Sequence, residues 1–179
     1  MSGIAKNIRA KGLTPAGAAL ALLAGGAFDL LFDGPHGRRF LWGFAPDASA
    51  LVLVWLALRA ETWAVAGGGF FLGFLRDGIS YGPAGGWALV MVLEALLAKA
   101  LMRTVEINRT WSACLVAFAA VLAGGIVLYP LLMYIYTGMN PVRVIYQHFS
   151  IYCIQGLTTA LAGIPVFRFL DRAAAERRD

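Results

Sequence analysis

Six apolar runs, at about residues 14–32, 44–58, 62–77, 84–102, 111–137 and 144–170, fill most of the 179-residue chain. Short connectors carrying charges, glycine or proline separate them. A helix needs roughly 20 apolar residues to cross about 30 Å of hydrocarbon. In lipid no water satisfies a backbone N–H or C=O, so only helices and closed barrels span. These runs are too long and too uniformly apolar for barrel strands, which alternate polar and apolar residues. The expected fold is one all-α integral membrane domain, residues 1–179, with six transmembrane helices. Composition agrees: 60% of residues are hydrophobic, 14% are charged and mean hydropathy is +0.72. Soluble domains run nearer 45–50% apolar and about a quarter charged, and disordered chains have low hydrophobicity and high charge.

Details of the runs leave alternatives. The first also resembles a signal peptide, with the small residues Ala24-Gly25-Gly26-Ala27 near a cleavage point. Its length and the runs that follow favour an uncleaved span. The second and third are short, and form either two spans turning at Arg59-Ala60-Glu61 or a re-entrant hairpin. Pro130 predicts a kink in the fifth.

The net charge is +5. No basic patch interleaved with exposed aromatics points to nucleic acid, so the charge is read as an orientation signal. With both termini cytoplasmic, eleven basic residues lie inside: Lys6, Arg9, Lys11, Arg59, Lys99, Arg103, Arg109, Arg168, Arg172, Arg177 and Arg178. Four lie outside: Arg38, Arg39, Arg76 and Arg143. The positive-inside rule then gives an N-in, C-in topology.

Ionisable groups within a membrane are costly and mark places to look for function. Glu94 lies near the middle of the fourth run, either as a proton or cation site or as a neutral or paired group fastening helices. Lys99 is expected to snorkel toward the cytoplasmic face. Asp47, after Pro46, is placed to cap the second helix. Asp29, Asp33, Asp47 and Asp77 all map to the outer side, and spacing does not say whether they converge. His36 and His148 lack metal-ligand spacing, and Cys114 and Cys153 read as buried free thiols. No nucleophile elbow or phosphate loop is present. No catalytic, cofactor or metal site is therefore assigned.

The glycines are more informative. Gly69, Gly73 and Asp77 are spaced i, i+4, i+8 and share one helix face. Small residues at that spacing let membrane helices approach closely. The face serves either packing within the chain or the docking of a partner's span.

The segment Gly69-Phe70-Phe71-Leu72-Gly73-Phe74-Leu75-Arg76-Asp77, followed by Ser80, Pro83, Gly85 and Ala88-Leu89, resembles the rod shape-determining MreD family. That family shows G-F-x-x-G-x-x-x-D, a glycine eight residues after the acid, and then Ala-Leu. Pro46-Asp47 and the run ending Trp55-Leu56-Ala57-Leu58 are similar to its second span. Arg76 departs from the pattern, standing where an apolar residue is expected. The resemblance implies a non-enzymatic scaffold, without cofactor, in the bacterial cytoplasmic membrane. Its implied partner is the single-span protein MreC, with MreB, RodA and a penicillin-binding transpeptidase reached indirectly, in lateral peptidoglycan synthesis. It also implies a fold similar to the substrate-binding subunits of energy-coupling-factor transporters. The rival expectation is therefore a vitamin-binding subunit, with Asp29, Asp77, Trp87, Tyr134 and His148 lining an outer pocket. Partner-binding or helix-packing candidates are Gly69, Phe70, Gly73, Asp77, Pro83, Gly85, Pro46, Asp47 and Glu94.

Overall fold

The computed structural model describes residues 15–33, 45–78, 84–104 and 109–176. Every regular element among them is helical. The helices are α1 (Pro15–Asp33), α2 (Ala48–Arg59), α3 (Thr62–Asp77) and α4 (Gly86–Thr104). A longer rod follows, made of α5 (Arg109–Leu122), a π-helical segment (Ala123–Leu128) and α6 (Tyr129–Thr137). The last helix is α7 (Pro141–Glu176). Pro83, Ser80 and His36 lie outside the described residues, as do the ends of the predicted runs at residues 14 and 44.

Two of these helices are long and apolar enough to cross a membrane: Trp111–Thr137 and Pro141–Phe169. The others are shorter. At 1.5 Å per residue, the 12 residues of α2 rise only about 18 Å. Its character is that of a central post. Every residue from Ser49 to Ala57 is buried, as expected of a helix that is apolar all round. Leu53, Val54 and Leu56 are at most 2% exposed. They form the core with Val65 and Leu72 of α3, Met91 and Ala95 of α4, and Ala113 and Ala117 of α5.

The outward faces are also apolar. Leu20 and Leu23 of α1, Trp63, Phe70 and Phe74 of α3, Ile135 of α6, and Tyr146 and Leu161 of α7 are all well exposed. Apolar patches this extensive are rare on water-soluble monomers and suit lipid or a partner.

The sequence Gly67-Gly68-Gly69 separates three directions around α3. A Cβ on Gly67 would meet nothing within 4 Å, so this residue faces outward. One on Gly68 would touch Leu56 of α2 at 3.1 Å and Leu22 of α1 at 3.3 Å. One on Gly69 would lie 2.6 Å from the Met91 carbonyl of α4. One turn on, a Cβ at Gly73 would lie 2.5 Å from the Trp87 carbonyl and overlap the Ala88 backbone. The glycine face of α3 is thus covered by α4, and α3–α4 is the most extensive helix pair.

The connection between α6 and α7 is tight. Gly138, at φ +70°, ends α6 in the left-handed conformation and donates to the Tyr134 carbonyl at 2.9 Å. Glycine takes this conformation without the Cβ penalty. The Asn140 side chain then accepts from Val142 N–H at 2.9 Å and starts α7.

Lys99 does not point away from the bundle. Its Nζ donates to the carbonyls of Ala57 and Ala60, both at 2.7 Å. A long cationic side chain can reach the unsatisfied carbonyls of a neighbouring helix end as readily as a headgroup region, and a cation there complements the helix dipole.

The contrast between two glycines on α3 is measurable. Gly73→Ala should lower the thermal unfolding midpoint in mild detergent, corresponding to about 1–3 kcal/mol of overpacking. Gly67→Ala should leave it unchanged or raise it by about 0.5–1 kcal/mol, because alanine is the better helix former. Temperature-dependent size-exclusion profiles distinguish the two.

Candidate functional site

The polar residues gather where α1 and α3 end and α2 and α4 begin. The first backbone N–H groups of a helix have no partner within it, and in an apolar surrounding each must find one elsewhere. At α2 the accounting is complete. The Asp47 N–H donates to Thr159 Oγ1 of α7 at 2.8 Å. Ala48 and Ser49 donate to the two carboxylate oxygens of Asp29 on α1, at 3.0 and 3.1 Å. Ala50 donates to Asp47 Oδ1 at 2.8 Å, which makes Asp47 the N-cap. Leu51 then donates to the Asp47 carbonyl and the helix continues.

The start of α4 repeats the device. Trp87 and Ala88 donate to the two carboxylate oxygens of Asp77 at 2.9 and 3.1 Å. Asp77 is the last residue of α3, where its charge opposes the dipole of its own helix. At the N-terminus of α4 the same charge is favourable.

The two hairpins share more than this cap. Ala21, Gly25 and Asp29 on α1 have the spacing of Gly69, Gly73 and Asp77 on α3. A Cβ on Gly25 would lie 2.9 Å from Val52 Cγ2 and 3.5 Å from the Ala48 carbonyl, in the first turn of α2. Gly73 meets the first turn of α4 in the same manner. In each hairpin a small residue lets the next helix come close, and an aspartate one turn later takes its first amides. The spacing in α1 was available in the sequence, but no local resemblance drew attention to it.

One ion pair joins the hairpins. Arg76 Nη1 donates to Asp47 Oδ2 at 3.2 Å, with side chains 8% and 9% exposed. The Arg76 guanidinium lies 4.2 Å from the centre of the Trp87 ring, and Trp87 stacks on Tyr129 of α6 at 4.9 Å. Arg76 thus has its role toward α2, across the bundle, and not beside Asp77. Sequence reading found no partner for Arg76 because 29 residues separate it from Asp47. Thr159, fully buried, closes the network by donating to the Gln155 carbonyl at 2.6 Å.

The described candidates named from sequence fall into four groups. Asp47, Asp77 and, from the outer acidic set, Asp29 belong to this network. Gly69, Gly73 and Glu94 face the bundle interior, Glu94 at 5% exposure. Pro46 leads into α2 half-buried, and Gly85, at φ +81°, precedes α4 in a backbone conformation that favours glycine. Phe70 faces outward, stacked on Phe74 at 6.3 Å. Of the expected outer-pocket residues, Asp29 and Asp77 cap helix starts and Trp87 is buried beside Arg76. Tyr134 is exposed, and His148 donates to the Val144 carbonyl of its own helix at 3.0 Å. Cys114 is buried and Cys153 half-buried, both free. Among the described residues no three His, Cys, Asp or Glu side chains group as a metal site would require. The acids are occupied by backbone amides and Arg76, an arrangement suited to fixing helix ends.

Removing Arg76 alone leaves the Asp47 charge buried without its cation, which typically costs about 3–5 kcal/mol. Arg76→Met should therefore be strongly destabilising. Adding Asp47→Asn, which keeps the capping oxygen and removes the charge, should recover part of that loss. Asp29→Ala and Asp77→Ala should each cost about 1–3 kcal/mol through unsatisfied amides. Detergent thermal midpoints of these variants measure all three effects.

No curated protein and no solved structure matches the chain. A family model described as rod shape-determining protein MreD matches residues 16–172, which include all four capping and pairing residues Asp29, Asp47, Arg76 and Asp77. The chain belongs to the MreD family of rod shape-determining membrane proteins.

Proposed function

We propose that this protein is a non-enzymatic scaffold of the bacterial cell-elongation complex, holding an MreC-like single-span partner in the cytoplasmic membrane. The observation that carries the reading is the family match over residues 16–172. In this proposal the six helical rods are six spans, with both termini cytoplasmic. MreB, RodA and a penicillin-binding transpeptidase are engaged indirectly, and the outcome is lateral peptidoglycan synthesis and rod shape.

The capped network supports a scaffolding role. It contains charged groups, yet each described hydrogen bond of Asp29, Asp47 and Asp77 goes to backbone amides or Arg76. Catalysis needs a nucleophile and a base within mutual reach. A solute site needs polar groups pointing into a concave space. This arrangement serves rigidity instead. Two residues expected to line a vitamin pocket, Asp29 and Asp77, have their carboxylates on backbone amides, which supports the scaffold reading over the vitamin-binding one.

The partner's span is assigned to the outward side of α3. Gly69 and Gly73 are occupied by α4, whereas Trp63, Phe70 and Phe74, on another side of the helix, are 75%, 58% and 63% exposed. Aromatic side chains supply large contact areas at interfaces.

Two experiments test the proposal. Reporters fused to the N- and C-termini should both be cytoplasmic, and opposite sides would overturn the six-span topology. Affinity purification in mild detergent should recover an MreC-like single-span protein with the wild type. A Phe70→Ala/Phe74→Ala variant should remain monodisperse and lose that protein. Retention at wild-type yield would remove α3 as the docking face, and failure of the wild type to recover it would overturn the partner assignment.

A further inference from the structure

The long rod leaves regular α-helical geometry at Ala123–Leu128. The cause lies two residues beyond. Pro130 has no N–H, and in a regular helix its ring collides with the carbonyl four residues earlier. Widening the helix relieves the collision, and Tyr129 donates to the Gly124 carbonyl, five residues back. Proline itself offers no donor in this turn. Whether the turn is counted with α or π spacing, the carbonyl of Ile126 or Gly125 faces a proline where it needs an N–H.

Glu94 of α4 meets this segment. Its carboxyl occupies the space that a Cβ on Gly124 would fill, so it rests against the Gly124 backbone. Gly125 alongside admits the Tyr152 ring of α7 in the same way. These two glycines are the sockets through which α4 and α7 reach the widened turn. The Glu94 side chain is 5% exposed, and no hydrogen bond or ion pair ties it to another described side chain.

The charged groups within electrostatic reach are Asp47 of α2, Arg76 of α3 and Asp29 of α1. Arg76 is already paired with Asp47, and Asp29 is held by the α2 amides. The π segment and α6 bring only tyrosines as ionisable groups, the described side chains of α5 bring only Cys114, and α7 brings Tyr152 beside His148. Arg76 is thus the cation within reach of Glu94, and it is shared with Asp47. A carboxylate is also acceptor-only, whereas the protonated acid has one O–H to donate.

We propose that Glu94 is a neutral carboxylic acid whose O–H donates to a backbone carbonyl of the π segment, latching α4 to the long rod at the place where Pro130 removes a donor. Ionisation removes the donor and sets a negative charge against carbonyl oxygens, so the latch is held by a proton. The inference is independent of the partner proposed above.

The test combines spectroscopy with a mutant cycle on the purified full-length protein. Infrared spectra at neutral pH should show the C=O stretch of a protonated carboxylic acid that shifts in D2O and is absent from Glu94→Gln. Absence of that band from the wild type would overturn the proposal. Glu94→Gln, whose amide N–H₂ still donates, should keep the wild-type unfolding temperature, while Glu94→Ala should lower it. In a Pro130→Ala background, where the helix supplies its own N–H, the loss caused by Glu94→Ala should shrink by roughly half or more. Equal damage from Gln and Ala, or full additivity with Pro130→Ala, would also overturn it. If Glu94→Ala fails to fold, the infrared band and the Gln variant still decide.

Discussion

The rest of the bundle depends on the satisfaction of helix ends where no water can do it. A helix begins with amides that its own carbonyls cannot reach, and leaving a buried one unpaired costs about 1–3 kcal/mol. In α2 all four are taken by side chains from α1, α2 itself and α7. At its other end Lys99 of α4 takes two carbonyls. This 12-residue helix is thus terminated at both ends by charges borrowed from neighbours. A short post buried on every side would otherwise be a poor element. Its termini, more than its length, explain why it can stand at the centre.

Charge placement follows the same economy. Asp29 and Asp77 are aimed at helix N-termini, and Lys99 at a C-terminus, each matching the local dipole. Asp47 carries a full ionic partner, Arg76, and that pair bridges the two hairpins. Burying an ion pair is no guarantee of stability in itself. Here the Asp47 carboxylate also caps a helix, and the Arg76 guanidinium lies over Trp87, so both ions have further contacts to offset desolvation.

Much of this was legible in the residues. The helical character followed from the apolar runs, the capping role of Asp47 from its position after Pro46, and the close approach at Gly69 and Gly73 from their spacing. What stayed hidden was long-range. Arg76 looked like a departure from the family pattern because its partner lies in another helix, and Lys99 looked like a snorkelling residue because α2 ends out of sequence reach. The π segment shows the limit most clearly. Proline predicted a kink, but the form taken depends on Glu94 and Tyr152, which arrive from α4 and α7 to fill the places of Gly124 and Gly125.

The ancestry of each cap has a consequence for biogenesis. Asp29 is synthesised before the α2 amides it will hold, and Asp77 before those of α4. Each hairpin leaves the ribosome with its acceptor already waiting, so its helix start can be capped within the pair. The amide of Asp47 is different, for its acceptor, Thr159, comes 112 residues later. The first half of the bundle therefore stays one bond short until α7 has been made. Helix α7 thus completes a cap whose other members are in place before it.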